Sequence, residues 1–339
     1  MRNGEALRVI LILSDGIRGH LNQSRGVAYW LSQLSGAEVL EAEVPQLSGA
    51  AKTRAKAGAS ALIGGTRRDA RDWLAGADGD ALIRRVGQWF AERNITENSK
   101  AMLFLSAGST AAPYNLAMGY LWRGACATIM TPGRVGTEPF DFAIVPEHDC
   151  PERQPNIFVT LGAPNFVIKE NLKKEAAALL AEHPAASPEI WSVLIGGDDA
   201  NYEITPAWVK KQLGQILNLA QNCGADIYLT TSRRTSDAAV KTIKTLAAHS
   251  GVVKYLLVAS EDVSEAITGG HRAVLLRTGR KGGVKNMMQR ATASLVNAGA
   301  LSQNLLWGVP KFDRVFDHFV RNDGLIEYRD WLRQRHDGA

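Results

Sequence analysis

The chain has 339 residues and a mass of 36.7 kDa, with 45% hydrophobic and 22% charged residues. This composition excludes a disordered, collagen-like or fibrous protein, and the length suits two domains. Lysine and arginine (39) exceed aspartate and glutamate (34) by five. That surplus permits an anionic ligand but does not indicate a nucleic-acid partner, and we expect none.

Positive charge is concentrated in two segments of the chain. Residues 201–300 hold 13 Lys and Arg against 6 Asp and Glu, and residues 51–100 hold 10 against 6. The rest of the chain is net acidic. The basic character therefore belongs mainly to one part of the second half.

The three cysteines, Cys126, Cys150 and Cys223, are far apart and form no CxxC pair. Neither a zinc site nor a disulfide framework is predicted, so we expect a reduced, cytoplasmic compartment and no bound metal. The apolar run 7–13 includes Arg8 and is too short to span a bilayer, so it predicts a buried first strand. No later segment is long enough to span a membrane.

Short apolar runs alternate with segments of helical period, which is typical of βαβ units around a parallel sheet. In the first half, strands are predicted at residues 8–13, 38–43, 101–105, 125–131, 140–145 and 157–161. Helices are predicted at residues 22–34, 80–93 and 110–123. Residues 44–79 have weak periodicity and no firm assignment.

In the second half, a helix at 166–183 precedes the segment 183–188, whose two prolines indicate a linker. Strands are predicted at residues 191–195, 226–230, 252–258 and 273–276. Helices are predicted at residues 206–222, 236–249, 261–268 and 284–298, followed by an amphipathic tail at 312–335. The predicted class is α/β, with two Rossmann-like parallel-sheet domains facing a cleft. A ligand is expected beyond the carboxyl ends of the strands.

The first motif, residues 14–23, follows the first strand directly. Gly16 and Gly19 allow a tight turn close to a ligand, and His20 can take a proton from an attacking hydroxyl near neutral pH. We predict His20 and Asp15 as catalytic residues. The other predicted contacts of this motif with substrate are Gly16, Gly19, Asn22 and Gln23. The alternative is a plain turn in which His20 caps a helix.

The second motif, Glu147-His148-Asp149, follows the predicted strand 140–145. These side chains can bind sugar hydroxyls, and Glu147 can orient His20 as a further catalytic residue. A structural ion pair is the alternative. Adjacent residues point in different directions, so a metal site is not predicted here.

Two motifs in the second half predict a site for phosphate groups. Gly196-Gly197 follows a strand and forms a phosphate loop if a helix comes next. The run Ser232-Arg233-Arg234-Thr235 lies between a strand and a helix, where hydroxyls and guanidinium groups can hold an oxyanion. A solvent-facing helix start, with Ser236 as N-cap, is the alternative.

Three further features complete the candidates. The cationic loop 277–286, with Lys281, can close over a diphosphate or remain a solvated surface loop. Glu265 can accept hydrogen bonds from a ribose diol. The helix 110–123 carries a Met and aromatic stripe that is typical of a core, with docking on a membrane surface as the alternative.

The motifs together resemble those of one family, which contains the plant elongated-mitochondria fission protein and bacterial homologues described as glycosyltransferases. The matching stretches, in chain order, are Ser14-Asp15-Gly16, Gly19-His20, Asn22-Gln23, Pro146-Glu147-His148-Asp149, Leu161-Gly162-Ala163, Leu194-Ile195-Gly196-Gly197 and Thr231-Ser232-Arg233-Arg234-Thr235. They extend over most of the chain.

This resemblance implies a GT-B-like fold, in which the C-terminal domain holds a nucleotide-sugar donor and the N-terminal domain holds the acceptor. We expect domains at 1–165 and 166–311, with a last helix at about 312–339 that packs back on the first domain. The donor set implied by the motifs is Gly196, Gly197, Ser232, Arg233, Arg234, Thr235, Glu265 and Lys281.

The expected function is transfer of a sugar from a nucleoside diphosphate, UDP in our prediction, to a lipid-linked or glycan acceptor without a bound cofactor. The alternatives are a nucleoside-diphosphate-sugar epimerase and a non-catalytic scaffold in membrane or division processes. The expected location is the cytoplasm, with peripheral contact at the inner face of a membrane.

Overall fold

The computed structural model describes residues 7–96, 101–160, 162–166, 169–198, 202–261, 272–276 and 279–280. The chain divides into two compact units, and the division falls between residues 166 and 167. Several predictions lie outside the described residues, namely Glu265, Lys281, most of the helix 261–268, the helix 284–298 and the C-terminal tail.

The first unit contains a six-stranded parallel sheet with the strand order β2-β1-β3-β4-β5-β6. Its strands are β1 (Val9–Ser14), β2 (Glu38–Glu43), β3 (Met102–Ala107), β4 (Ala125–Ile129), β5 (Phe142–Pro146) and β6 (Ile157–Thr160). Its helices are α1 (Arg18–Ser35), α2 (Gly49–Gly58), α3 (Arg67–Gly76), α4 (Asp80–Glu92) and α5 (Ala112–Trp122).

The alternation of side chains along β1 forms two cores, one on each face of the sheet. Leu11 and Leu13 belong to the core that also contains buried residues of α3, α4 and α5. Ile10 and Ile12 belong to the core that contains the buried face of α1. Because both faces of β1 are covered, the strand has no polar position before Ser14.

Helices α2 and α3 occupy the segment for which the sequence pattern made no firm prediction. The N-terminus of α3 carries a capping box, in which the Thr66 side chain accepts from Asp69 and the Asp69 carboxylate accepts from Thr66. That Thr-x-x-Asp pattern is readable in the sequence and predicts the start of α3. Helix α2 has no buried residue, which is why it gives no clear periodicity.

The apolar stripe of α5 belongs to the core. Its buried residues include Tyr114, Leu116, Met118 and Leu121. Docking of this helix on a membrane surface is therefore a wrong interpretation, because its apolar side chains pack inside the first unit. No helix in the described part of the chain has the length and apolar character needed to cross a membrane.

The second unit contains a four-stranded parallel sheet with the order β10-β9-β7-β11. Its elements are α6 (Lys169–Glu182), β7 (Ile190–Ile195), β8 (Tyr202–Glu203), α7 (Pro206–Cys223), β9 (Asp226–Thr230), α8 (Asp237–Ala248), β10 (Val253–Leu257), β11 (Arg272–Leu276) and β12 (Gly279–Arg280). The short strands β8 and β12 pair antiparallel, which the sequence pattern did not predict.

The predicted α/β class with two parallel-sheet units is confirmed.

The prediction of an interdomain linker at 183–188 is wrong, because this segment lies inside the second unit and connects α6 to β7. The backbone N–H groups of Ala186 and Ser187 both donate to the Asp226 carboxylate. The segment is therefore fixed to the start of β9.

Gly26 in α1 allows the chain after β6 to cross the helix closely. A Cβ atom at this position would lie 2.1 Å from the backbone oxygen of Asn165, whereas a Cβ at Gly19 in the same helix would meet nothing within 4 Å. We expect Gly26→Ala to lower the free energy of unfolding by about 1–3 kcal/mol, because backbone must move to relieve the overlap. Gly19→Ala is the matched control.

Urea unfolding checks this prediction. Gly19→Ala should leave the free energy of unfolding unchanged or raise it by about 0.4–1 kcal/mol, because alanine restricts the unfolded chain more than glycine does. Equal effects of the two substitutions would contradict the close crossing at Gly26.

Candidate functional site

The carboxyl ends of β1 and β3 form the point where the strand order of the first sheet reverses. The chain proceeds from β1 to β2 on one side and then to β3 on the other. In open α/β sheets, the crevice at this position is where ligands bind. The first motif of the sequence leaves β1 at this point.

The loop after β1 is a tight turn held by its own polar groups. Gly16 has a φ of +77°, and its N–H donates to the Ser14 hydroxyl at 3.1 Å. The Ile17 N–H donates to one Asp15 carboxylate oxygen at 3.1 Å. Helix α1 then begins at Arg18, four residues earlier than predicted. Most of the motif is therefore helical.

The other carboxylate oxygen of Asp15 bonds to His20. The distance between His20 Nδ1 and Asp15 Oδ2 is 2.8 Å, and the Asp15 side chain is 2% exposed against 26% for His20. A carboxylate can only accept, so Nδ1 donates, and Nε2 of a neutral ring then carries the lone pair. This pairing shows that His20 does not act as a helix cap, and it leaves Nε2 as the ring nitrogen that can accept a proton.

Gly108 directly follows β3 and leaves room for the His20 ring, which packs against its backbone. It has a φ of +83°, and a Cβ atom there would lie 2.4 Å from His20 Cε1 and 2.5 Å from Nδ1. Only glycine permits this contact. Sequence reasoning missed Gly108, although a strand followed by Gly-Ser-Thr and a helix is the same signal that identified the other motifs.

A cavity of about 170 Å³ lies against Asp15, the carboxylate of this pair. Asp15 lines it from the loop after β1, Lys52 and Lys56 from α2, and Trp73 and Tyr114 from α3 and α5. The Tyr114 hydroxyl donates to the Ala77 oxygen at 2.7 Å, and burial raises the pKa of Tyr114 to about 12. Tyr114 therefore stays protonated at neutral pH and forms a wall of the cavity, not a base.

The remaining predicted residues of α1 lie in its first two turns. Gly19 and Asn22 are exposed, and Gln23 is half-buried. The Gln23 Oε1 atom is buried without a hydrogen-bond partner among the described residues. Their contact with substrate stays a prediction.

Glu147, His148 and Asp149 form a short 3₁₀ helix after β5. Strand β5 lies three strand positions from β1, so Glu147 is about 14 Å along the sheet edge from the His20 loop at the usual strand spacing. Glu147 was predicted to orient His20, but the carboxylate bonded to this ring is that of Asp15. In the described part of the chain, no group of His, Cys, Asp and Glu residues is arranged to hold a metal ion.

Gly196 and Gly197 do not begin a phosphate loop of the predicted kind. The short strand β8 follows them before α7, so no helix comes next. A Cβ atom at Gly197 would lie 2.5 Å from the backbone carbon of Arg234, and the Asp198 N–H donates to the Arg234 oxygen at 2.9 Å. Close packing of two loops therefore explains this glycine without any ligand.

The run Ser232–Thr235 lies between β9 and α8 as predicted, but its donors are used within the loop. The Thr235 hydroxyl donates to the Gly196 oxygen at 2.9 Å and accepts from the Ser232 N–H at 2.9 Å. The Arg233 and Arg234 side chains are exposed, and neither forms an ion pair with a described residue. An anion would therefore meet the guanidinium groups and not a backbone cradle.

The cysteines are all free. Burial raises the pKa of the Cys126 thiol well above its usual value, so this residue is a small core side chain and not a nucleophile.

The first parallel sheet carries an Asp–His pair at its strand-order reversal, and the second carries two exposed arginines at its carboxyl edge. These features define a two-unit Rossmann-like protein with a polar site. The chain belongs to the mitochondrial fission ELM1 family, whose model matches residues 18–270. This match confirms the resemblance carried by the motifs. No curated protein sequence matched the chain.

Solved structures with some similarity include two UDP-GlcNAc 2-epimerases. The enzyme from Methanocaldococcus jannaschii is 10% identical, with 77% of this chain and 74% of that chain covered and a TM-score of 0.42. The enzyme from Rickettsia bellii is 14% identical, with 74% and 68% covered and a TM-score of 0.34.

The contact between Gly108 and His20 can be tested by substitution. We expect Gly108→Ala to displace the His20 ring from Asp15, because the added carbon overlaps the imidazole. Gly36→Ala is the control, since Gly36 also has a positive φ of 76° but has nothing within 4 Å of the added carbon. In both variants, backbone strain at the positive φ should lower the free energy of unfolding by about 1–2 kcal/mol.

Two-dimensional NMR of the histidine ring nitrogens, with chemical unfolding in parallel, is the measurement. Only Gly108→Ala should shift the His20 Nδ1 and Nε2 resonances. Unchanged His20 resonances in Gly108→Ala would show that the ring does not lie against Gly108.

Proposed function

We propose that this protein is a glycosyltransferase that moves a sugar from a nucleoside diphosphate to an acceptor hydroxyl, with His20 as general base. The observation that carries the proposal is the buried Asp15 carboxylate bonded to His20 Nδ1 beside a cavity at the strand-order reversal. A fixed imidazole with a free Nε2 is the arrangement that general-base catalysis requires.

In the proposed step, the acceptor oxygen bonds to the anomeric carbon of the donor while its proton passes to His20 Nε2. The bond between that carbon and the diphosphate oxygen breaks, and the electron pair leaves with the nucleoside diphosphate. The Asp15 carboxylate stabilises the imidazolium that forms. Cationic side chains stabilise the charge that develops on the leaving group, which is where the largest gain in rate is expected.

Arg233 and Arg234 are the proposed contacts of the second unit with the donor diphosphate. They follow β9, which lies beside β7 at the centre of the sheet, and both are exposed without an ion pair among the described residues. A guanidinium group binds phosphate through two parallel hydrogen bonds. The proposed donor is UDP-linked, and Ser232, Glu265 and Lys281 belong to the same proposed set.

Donor binding can be measured by calorimetry with UDP-, GDP-, ADP- and CMP-linked sugars. We expect at least one of these nucleotide sugars to bind. The double variant Arg233→Ala, Arg234→Ala should weaken that binding at least tenfold, because each substitution removes a charge-assisted contact with phosphate. Lys210→Ala, at an exposed position of α7, is the control and should bind normally. No binding of any nucleotide sugar would contradict the proposal.

Catalysis can be separated from donor binding with His20→Ala and Asp15→Asn. We expect each to lower the rate of sugar transfer about 100-fold to 10,000-fold, because the first removes the base and the second removes the carboxylate that orients it. Affinity for the donor should not change. Full transfer activity in His20→Ala would exclude His20 as the base, and conversion of the donor sugar without any acceptor would indicate an epimerase instead.

A further inference from the structure

The cavity beside Asp15 adjoins a second cavity of similar size. The second cavity also has a volume of about 170 Å³ and shares Lys56, Ser109 and Pro113 with the first. Arg134, from the loop after β4, lines it on the far side. A cavity of about 150 Å³ holds one benzene ring, so this pair of cavities suits a ligand with two parts, each close to that size.

Among the described residues, the cationic side chains that line this double cavity form no ion pair. Lys52 and Lys56 are separated by one helical turn of α2 and line the cavity together, whereas Arg54 lies between them and does not line it. The chain from residue 44 to residue 68 contains five Lys and Arg and no Asp or Glu. In the described part of the chain, neither lysine forms an ion pair.

Both oxygens of the Asp15 carboxylate accept hydrogen bonds, from Ile17 and His20, and no ion pair joins it to either lysine among the described residues. Lys52, Lys56 and Arg134 outnumber this one carboxylate in the lining, so the double cavity keeps a positive surplus. Ser109 and Thr110 add hydroxyl groups that have no partner among the described residues. These residues also lead into the N-terminus of α5, where the helix dipole favours an anion. The double cavity therefore combines cations, hydroxyl donors and a positive helix end.

Part of the wall of the first cavity is apolar. Trp73 and Tyr114 pack edge to face with their ring centroids 4.8 Å apart, and Pro45 and Leu47 extend this wall from the loop after β2. Trp73 is fixed because its Nε1 donates to the Ala55 oxygen at 3.0 Å. Aromatic and apolar side chains of this kind pack against the apolar part of a ring, while the polar groups fix its orientation.

We propose that the double cavity binds a small organic phosphate: a six-membered ring in the first cavity, beside the Asp15 carboxylate that bonds to His20, and a phosphate group between Lys56 and Arg134. The role of this ligand rests on the proposed function, in which the ligand is the acceptor and His20 deprotonates one of its ring hydroxyls. The binding of the phosphate depends only on residues of the first unit.

Calorimetry with glucose 1-phosphate, glucose 6-phosphate and myo-inositol 1-phosphate tests the inference without donor or turnover. We expect at least one of them to bind more tightly than glucose, myo-inositol or inorganic phosphate alone. Lys56→Met should weaken this binding about tenfold or more, because it keeps the apolar stem and removes a charge-assisted hydrogen bond. Arg134→Gln is the second variant, since it tests the same phosphate contact from another element.

Arg54→Met is the matched control, because it removes one positive charge from α2 without touching the cavity, and it should bind as the unchanged protein does. Failure of all three compounds to bind, or equal losses in Lys56→Met and Arg54→Met, would overturn the inference. Equal binding of the phosphate-free rings or of inorganic phosphate would also overturn it.

The two proposals fail in different experiments. If no nucleotide sugar binds but a ring phosphate binds in a Lys56-dependent way, the transferase proposal is wrong and the organic-phosphate site remains. If nucleotide sugars bind and none of the three ring phosphates binds, the organic-phosphate site is wrong and the transferase proposal remains.

Discussion

The position of β1 between β2 and β3 is the constraint on which the rest of the first unit depends. The strand is buried along its whole length and is paired in parallel on both sides. Its alternating side chains supply both cores, so its register cannot shift by one residue without moving Leu11 and Ile12 to the wrong faces. Because the register is fixed, Asp15 must leave the sheet at the edge where the strand order reverses.

The two units use their glycines for different purposes. In the first unit, Gly16 turns the chain and Gly108 leaves room for the His20 ring, so both shape a polar site. In the second unit, Gly197 leaves room for the backbone of Arg234, and the loop donors bond to one another. The first unit therefore presents a built site with a fixed acid–base pair. The second presents exposed charge on a loop that is closed by its own hydrogen bonds.

Positive charge is also distributed over both units. The surplus in residues 51–100 includes Lys52 and Lys56, which stand on a helix without buried residues and line a cavity. The larger surplus in residues 201–300 includes Arg233 and Arg234 at the end of β9. Both groups lie at carboxyl edges of parallel sheets, where ligands of open α/β proteins bind. A modest net charge of five thus conceals two local concentrations of positive charge.

The sequence by itself determined the α/β class, most strands, and the motif that contains Asp15 and His20, because burial on two faces and strand-to-helix turns leave local patterns. It did not determine α2, which buries nothing, or the roles of Gly108 and Lys56, because these depend on residues distant in the chain. Only the tertiary structure decided that Asp15, and not Glu147, orients His20, since strand order sets which loops meet. The chain order of the motifs does not contain that information, because β3 lies beside β1 in the sheet although the whole of β2 and four α-helices separate them in sequence.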